Sequence, residues 1–198
     1  DADRNGDEVI EGSGEKHVAQ AERNWQIYLP DTGFAPNRVT LIPPQEEDVT
    51  YTRMDDLRIS IPALELDLPI VGVPRQPDGD WNISWLDKNV GWLQGTAFPT
   101  WQGNSVLTAH VYDVNGLAGP FIDLQTLKWG DRIVVSGWGQ DYVYEVRSID
   151  NWVDPQDFSI MEEEEFSWLT LITCKGYDET SGAYQWRVVV KAVQVDVQ

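Results

Sequence analysis

The amino-acid sequence predicts a mostly β fold, built as a sandwich or a closed barrel of short strands. Three observations favour this fold class. Polar and apolar residues alternate along 58–61 and again along 64–68, as the two faces of a half-buried strand require. Glycine, proline and Asn/Asp clusters interrupt several further β-prone runs at short intervals. Helical patterns are few, and only 85–93 and 158–168 predict short helices.

The predicted strands follow one another from Leu57 to the end of the chain. The first two lie at 58–61 and 64–68, and residues 69–73 continue the second one. The later strands are rich in β-branched and aromatic residues, and they lie at 105–112, 132–137, 142–149, 169–174 and 186–197. Residues 57–198 therefore predict one folded domain.

The first 56 residues differ in composition from this domain. Residues 1–24 are charged and poor in apolar groups, and residues 30–48 hold four prolines followed by an acidic run. Proline fixes φ and removes a backbone donor, so this stretch predicts an extended segment. We expect residues 1–56 to form an N-terminal extension that either wraps over the domain or serves as a spacer.

The charge balance excludes several classes of function. The chain of 198 residues has 14 Lys and Arg against 33 Asp and Glu, a net charge of −19. This charge argues against nucleic-acid binding through phosphate and against a basic helix lying on a membrane. One cysteine excludes an intramolecular disulfide and a Cys-rich zinc site. No apolar run reaches the roughly 18 residues that would predict a membrane span within the chain.

Three residues in or beside β-prone runs are candidates for chemistry. Cys174 follows the run 169–173, His110 lies in 105–112, and Arg187 opens the last strand. A catalytic cysteine needs a thiolate, a proton carrier for the leaving amine, and a donor for the developing oxyanion. Cys174, His110 and Arg187 could fill these roles. Spacing alone equally allows a buried structural cysteine, a strand histidine and a surface arginine.

These residues stand within motifs that resemble the sortases, the cysteine transpeptidases of Gram-positive-type cell surfaces. Residues 170–174 reproduce the family's Thr-Leu-x-Thr-Cys signature, with Arg187 13 residues after the cysteine and His110 64 residues before it. Further similar motifs extend the resemblance over roughly 57–197, and they are Trp81-Asn82-Ile83, Val90-Gly91-Trp92, Gly119–Leu124, Trp129–Ile133 and Val153–Asp157.

The resemblance implies a fold and a reaction. The fold is a closed eight-stranded β-barrel with a few short helices, formed by residues 57–198. In the reaction, Cys174 attacks the Thr carbonyl of an LPxTG-like C-terminal sorting signal, forms a thioester and cleaves between Thr and Gly. His110 carries the proton to the leaving amine, and Arg187 donates to the oxyanion. A cell-wall amine of a peptidoglycan precursor then resolves the thioester and receives the surface protein.

Several alternatives remain open at this point. The Tyr177–Gly182 loop favours a class A-like sortase, while residues 79–110 keep the class F-like and class E-like groups in view. The amine could instead be a lysine of another subunit, as in pilin-polymerising members. The ten tryptophans could also make the chain a catalytically idle module that binds cell wall by stacking.

The resemblance further implies that two residues beside the trio bind substrate. Thr173 precedes the cysteine and would help to hold the substrate backbone, although a β-branched strand residue is an equally good interpretation. Ala109 stands where the family usually has glycine, next to His110, and would shape the approach to the site. This chemistry requires no cofactor.

The extension begins with a pattern similar to a calcium loop. The first seven residues copy the first half of an EF-hand loop, but Gly12 stands where that loop needs Glu. A looser calcium site therefore remains open beside a plain solvated tail, with ligands from Asp1, Asp3, Asn5, Asp7 and Glu11. The acidic run Glu162–Glu165 is a second calcium candidate, and a charged surface is its simpler interpretation.

The resemblance also implies a place in the cell. Sortases act at the extracellular face of the membrane, so we expect a hydrophobic anchor upstream of Asp1 in the full-length protein. Some pilin-building members cover their site with a lid that carries an Asp-Pro-aromatic motif. Residues 31–34 are only a faint echo of that motif, so a wrapped or spacer extension is the favoured interpretation.

Overall fold

Eight β-strands close into one barrel. The computed structural model describes residues 28–45 and 52–198, and within these ranges the strands are β1 Thr52–Ile61, β2 Leu66–Val73, β3 Val90–Leu93, β4 Gly103–Thr108, β5 Arg132–Gly137, β6 Gln140–Val153, β7 Ser167–Asp178 and β8 Ala183–Val197. Short 3-10 helices lie at Pro62–Leu64, Ser84–Leu86, Leu124–Thr126 and Phe158–Met161. The predicted fold class, a mostly β closed eight-stranded barrel with a few short helices, is confirmed.

The strand order places the ends of two distant strands side by side. Around the barrel the order is β1-β2-β3-β4-β7-β8-β6-β5. Most neighbours are antiparallel, but β2 with β3 and β4 with β7 are parallel. Parallel strands present their carboxyl ends in the same direction. The residues that follow β4 therefore meet the C-terminal half of β7 at one end of the barrel.

Alternation along the strands separates the barrel interior from its outer face. In β7, Leu169 and Leu171 are buried in the main interior cluster, whereas Ile172 belongs to a second cluster. That second cluster also holds Leu29, which is 1% exposed. Burying a leucine side chain contributes about 1.5–3 kcal/mol. Leu29 therefore fixes the segment before the barrel to the barrel wall.

Both predicted helices are wrong over most of their length. In the predicted helix 85–93, the 3-10 helix ends at Leu86 and residues from Val90 form β3. Val90 and Leu93 are fully buried in the parallel pairing with β2, so tertiary pairing decides the conformation of this short apolar run. In the predicted helix 158–168, only Phe158–Met161 is helical.

Three strand boundaries also differ from the prediction. The second strand begins at Leu66 because Glu65 adopts a left-handed conformation, with φ at 54°, that ends the preceding 3-10 turn. β4 ends at Thr108, so His110 lies two residues beyond the strand. β7 continues to Asp178, so Cys174 lies within a strand and not at its end.

Residues 28–45, which we call the covering segment, lie across one end of the barrel. Backbone N–H groups of Leu29 and Phe34 donate to the carbonyls of Pro155 and Tyr112, at 2.6 Å and 3.1 Å. Further along, the N–H groups of Asn37 and Thr40 donate to the carbonyls of Gly116 and Val114 at 2.9 Å and 2.8 Å.

No helix within the described ranges has the length and apolar character needed to cross a membrane.

Candidate active site

The strand registers bring Cys174, His110 and Arg187 to the same end of the barrel. Cys174 and Arg187 are direct partners across the antiparallel pair of β7 and β8. On the other side of β7, the parallel pairing aligns Thr108 with Ile172. His110 follows Thr108 by two residues, and Cys174 follows Ile172 by two residues. The exposures of Cys174, His110 and Arg187 are only 1%, 1% and 4%.

The Cys174 thiol is bonded to the covering segment. Its S–H donates to Asp31 Oδ1 at 3.1 Å, and the backbone N–H of Thr32 donates to Cys174 Sγ at 3.0 Å. Burial raises the pKa of the Cys174 thiol far above its usual range, and the Arg187 guanidinium only partly offsets this effect. Cys174 is therefore a protonated thiol while the segment covers it.

Arg187 binds the backbone of the same segment through hydrogen bonds. Its Nε donates to the Pro30 carbonyl at 3.0 Å, and its Nη2 donates to the Leu29 carbonyl at 3.2 Å. Nη1 donates to the carbonyls of Tyr184 and Trp186, which fixes the guanidinium from its own strand. A guanidinium presents five donors in a rigid fork, so it can hold two successive carbonyls of an extended peptide.

His110 is buried and neutral beside the segment. Loss of solvent lowers the pKa of the His110 imidazole, while the carbonyls of Ile83 and Thr32 and the carboxylates of Asp31 and Asp87 act in the opposite direction. In the part of the chain that the structure describes, neither ring nitrogen makes a hydrogen bond of ordinary geometry. A neutral imidazole of this kind can accept a proton from a thiol and pass it on.

The carbonyl of Thr32 is held next to His110. It accepts a hydrogen bond from the backbone N–H of Val111 at 2.8 Å. Just beyond it, the ring of Phe34 packs against the imidazole, with 5.0 Å between ring centroids. The Tyr184 hydroxyl donates to the Phe34 carbonyl at 2.7 Å. The segment is therefore fixed on both sides of Thr32.

The two predicted substrate-binding residues lie behind the segment. The Thr32 hydroxyl donates to Thr173 Oγ1 at 3.4 Å, and the Thr173 hydroxyl donates to the Ala109 carbonyl at 3.0 Å. The Ala109 methyl group itself packs in the interior cluster of the barrel. Thr173 thus contacts the segment through its side chain, whereas Ala109 supports Thr173 through its backbone.

Residues 29–33 spell a complete Leu-Pro-x-Thr-Gly sequence, with Asp31 at the variable position. The faint echo of a lid motif at residues 31–34 overlaps this pattern. The pattern begins two residues earlier, at Leu29, and matches the sorting signals that the resemblance implies as substrate. We call Leu29–Gly33 the internal signal. The pattern is visible in the sequence, and only the structure shows that it lies on Cys174.

The calcium ligands proposed from the sequence lie outside the described residues, since Asp1, Asp3, Asn5, Asp7 and Glu11 all fall before residue 28. In the second candidate, the run 162–165, Glu164 forms an ion pair with Lys191 of β8. Within 28–45 and 52–198, no group of three or more His, Cys, Asp or Glu side chains is arranged as metal ligands. A calcium site at the N-terminus stays a prediction.

Comparison with known proteins gives one consistent result. A family model described as the sortase domain matches residues 59–195. The chain is 36% identical over 96 residues to YwpE of Bacillus subtilis, a protein provisionally named a sortase, an alignment that covers 48% of this chain and 86% of the relative.

Solved structures agree with this match. Sortase A from Corynebacterium diphtheriae superposes with a TM-score of 0.60 and 30% identity, over 73% of this chain and 62% of that one. Sortase C-1 from Actinomyces oris gives a TM-score of 0.57 and 32% identity, over 76% and 77% of the two chains. A sortase A and a sortase C-1 therefore match this chain about equally well.

Proposed function

Since the chain belongs to the sortase family, we propose that it is a cysteine transpeptidase that cleaves an LPxTG-type sorting signal between Thr and Gly. Cys174 is the nucleophile, His110 the proton carrier, and Arg187 the residue that binds the substrate backbone. The acyl group passes through a Cys174 thioester to an amine. Sortases act at the cell surface of Gram-positive bacteria, and this chain would act there too.

One observation carries the proposal. The three candidate residues all lie against a single stretch of extended backbone that reads Leu-Pro-x-Thr-Gly. Cys174 Sγ is 3.0 Å from the Thr32 nitrogen, and Arg187 binds the carbonyls of Leu29 and Pro30. A separate sorting-signal peptide would use the same donors and the same cleft once the internal signal had left it.

The chemistry follows from these contacts. As the thiol of Cys174 attacks the Thr carbonyl carbon, its proton passes to the neutral His110, because burial disfavours a free thiolate. The tetrahedral intermediate collapses with release of the Gly amine, which takes the proton from His110. An incoming amine then attacks the thioester by the same steps in reverse, and water is the competing side reaction.

The oxyanion needs a donor at the Thr carbonyl. The N–H of Val111 already donates to the Thr32 carbonyl at 2.8 Å, within the range that an oxyanion donor requires. Arg187 is engaged two and three residues before that carbonyl. The contacts therefore support Val111 N–H as the oxyanion donor, the role that the resemblance implies for Arg187, and Arg187 instead sets the register of the peptide.

A peptide assay tests the proposal. Fluorescent peptides of LPxTG, LAxTG and NPxTG type would be incubated with the enzyme, with and without triglycine as the amine. We expect cleavage of the LPxTG peptide, triglycine-dependent transpeptidation product, and complete loss of both in Cys174→Ala. A Cys174→Ala enzyme with full activity would overturn the assignment.

The acceptor amine is left open by these contacts. A peptidoglycan precursor is our first choice, and a pilin lysine is the alternative. A catalytically idle wall-binding module remains a second candidate because Trp129 and Trp152 are 69% and 62% exposed and could stack on sugars. Such a module would give no peptide cleavage even after the internal signal is displaced.

A further inference from the structure

We propose that the internal signal, Leu29–Gly33, is a substrate carried by the enzyme itself, and that Cys174 cleaves its Thr32–Gly33 bond within the same molecule. The inference rests on the proposed function, because it uses the same nucleophile and the same cleft. The enzyme would thus process its own N-terminal extension in addition to any separate sorting signal.

The pose of the internal signal supports cleavage at Thr32. Its N–H lies on Cys174 Sγ at 3.0 Å, and its carbonyl lies on the Val111 N–H at 2.8 Å. Arg187 binds the carbonyls of the two residues that precede the variable position. The nucleophile, the oxyanion donor and the backbone clamp therefore all engage the one segment whose sequence matches the signal.

The residue after Thr32 has to be glycine in this cleft. A Cβ added to Gly33 would lie 2.5 Å from Val111 Cγ1 and 2.8 Å from Tyr184 Cε2. Contacts this short are forbidden between carbon atoms, so any larger residue would displace the segment or its neighbours. The cleft thus selects glycine at the position after Thr32, where the signal requires it.

Asp31, at the variable position, is the one exposed residue of the signal, while Gly33 is half-buried and the other three residues are buried. The side chain of Asp31 is 62% exposed, while that of Arg187 below it is 4% exposed. The Asp31 carboxylate accepts from the thiol, and it lies 4.0 Å from the guanidinium. A carboxylate beside the thiol disfavours the thiolate, so self-cleavage is expected to be slow compared with an accessible peptide.

The self-cleavage reaction balances without a co-reactant. The bond from Cys174 Sγ to the Thr32 carbonyl carbon forms, and the bond from that carbon to the Gly33 nitrogen breaks. The thiol proton passes through His110 to the Gly33 nitrogen, which leaves as a primary amine. The products are a thioester that holds residues up to Thr32 and a barrel that begins at Gly33.

The released amine stays beside the thioester. The N–H of Phe34 donates to the Tyr112 carbonyl, and the Phe34 carbonyl accepts from the Tyr184 hydroxyl. Both contacts lie after the cleaved bond, so Gly33 keeps a high effective concentration at the thioester. Rejoining therefore competes with release, and the intact chain predominates until another amine captures the thioester.

Capture by an external amine tests the proposal. The full chain would be incubated at neutral pH with an excess of triglycine or hydroxylamine, and then denatured for mass spectrometry. We expect a barrel fragment that begins at Gly33 and an N-terminal fragment that ends in Thr32 joined to the amine. Cys174→Ala should give neither fragment. The rate should not depend on protein concentration, because the reaction is intramolecular.

Gly33→Ala separates this proposal from the proposed function. The variant loses the glycine that the signal requires, and its added Cβ displaces the segment, so self-cleavage should disappear while a supplied LPxTG peptide is still cleaved. Thermal melting checks that the barrel is folded. An intact full chain under excess amine, in a preparation that cleaves the supplied peptide, would overturn self-processing alone. Cleavage that rises with protein concentration would also overturn it. Failure of the folded Gly33→Ala variant to cleave the peptide would overturn the proposed function.

Discussion

Burial under the covering segment keeps Cys174 and His110 in their neutral forms. Loss of solvent raises the pKa of the thiol and lowers that of the imidazole, so an ion pair between them is disfavoured in this state. Removing the segment would return water to both groups and move both pKa values back toward their ordinary ranges. The reactivity of the cysteine is therefore tied to the position of residues 28–45.

Thiol labelling should report this coupling. Burial raises the pKa of the covered Cys174 thiol above its ordinary value of 9.0, so the covered thiol remains protonated up to pH 9. An uncovered thiol would return toward that ordinary value, and it would be increasingly ionised as the pH rises toward 9. Iodoacetamide should label the wild-type chain slowly up to pH 9. Gly33→Ala, whose added Cβ displaces the segment, should be labelled more than tenfold faster at pH 8, the factor that corresponds to one pKa unit.

The matched control for labelling is Gly130→Ala, in the turn before β5, where an added Cβ has no neighbour within 4 Å. It should label as slowly as the wild-type chain. Equal labelling rates in all three proteins would show that the segment does not control access to the thiol.

Arg187 should be sensitive to a change that keeps its charge. Lysine cannot reproduce two directed bonds to the carbonyls of Leu29 and Pro30, and charge-assisted hydrogen bonds contribute about 1.5–3 kcal/mol each. For a supplied peptide, Arg187→Lys should lower kcat/KM by at least about tenfold, the factor that corresponds to roughly 1.4 kcal/mol.

Arg58→Lys provides the comparison for Arg187→Lys, because Arg58 forms an ion pair with Asp67 with both side chains largely exposed. An exposed pair of this kind contributes little, so kcat/KM should change by less than about twofold. Near-normal turnover of Arg187→Lys would contradict the role of Arg187 as the backbone clamp.

Among the elements, the covering segment controls access to the cleft. While Leu29 and Phe34 remain bonded to the barrel, a separate peptide cannot reach the carbonyl-binding donors of Arg187. The covered and open forms thus compete for one set of contacts. Any change that weakens the covered form without altering the cleft should raise the open fraction.

Tyr184→Phe is such a change. It removes the 2.7 Å hydrogen bond from the Tyr184 hydroxyl to the Phe34 carbonyl and retains the ring. Loss of about 1 kcal/mol should raise the open fraction, and hence turnover of a supplied peptide at subsaturating concentration, by up to about fivefold.

Tyr142→Phe is the control for this variant. It removes an exposed hydroxyl whose partner is Gln140 of the same strand, so turnover should not change. A slower Tyr184→Phe enzyme would show instead that the hydroxyl serves the reaction and does not hold the covering segment.

The sequence predicted the strands best where local pattern and tertiary pairing agree. The run 132–137 was placed at the observed bounds of β5, and the β-prone run before Cys174 lies within β7. The helix predicted at 85–93 is wrong because the last four of these residues form β3 and pair in parallel with β2. Such pairing joins positions that are distant in the chain, and local periodicity contains no information about it.

The candidate site, too, is only partly predictable from the sequence. The identities of Cys174, His110 and Arg187 follow from motif spacing, and the structure brings these residues together through the registers of β7 with its two neighbours. The covering contact joins residues 142 and 143 positions apart, as in Thr32 and Asp31 with Cys174. Nothing in the local sequence predicts that contact, although the Leu29–Gly33 pattern names the segment able to make it.

At the scale of the whole molecule, the chain forms a barrel that places Cys174, His110 and Arg187 at one end and holds the internal signal across that end. The net charge of −19 lies on a chain whose cleft contains a buried arginine. That charge disfavours binding of nucleic acid through its phosphates. It also favours amine acceptors, which are cationic when protonated, near the surface of the enzyme.

The most direct test of the central claim is the intact mass of the acylated enzyme. Gly33→Ala would be mixed with an LPxTG-type peptide without an added amine, quenched in acid and analysed by mass spectrometry. We predict an adduct equal to the peptide up to its Thr, attached at Cys174, which disappears when triglycine is added. Cleavage of the peptide with no such adduct at any time, or an adduct that persists in the double variant Gly33→Ala and Cys174→Ala, would contradict the thioester mechanism.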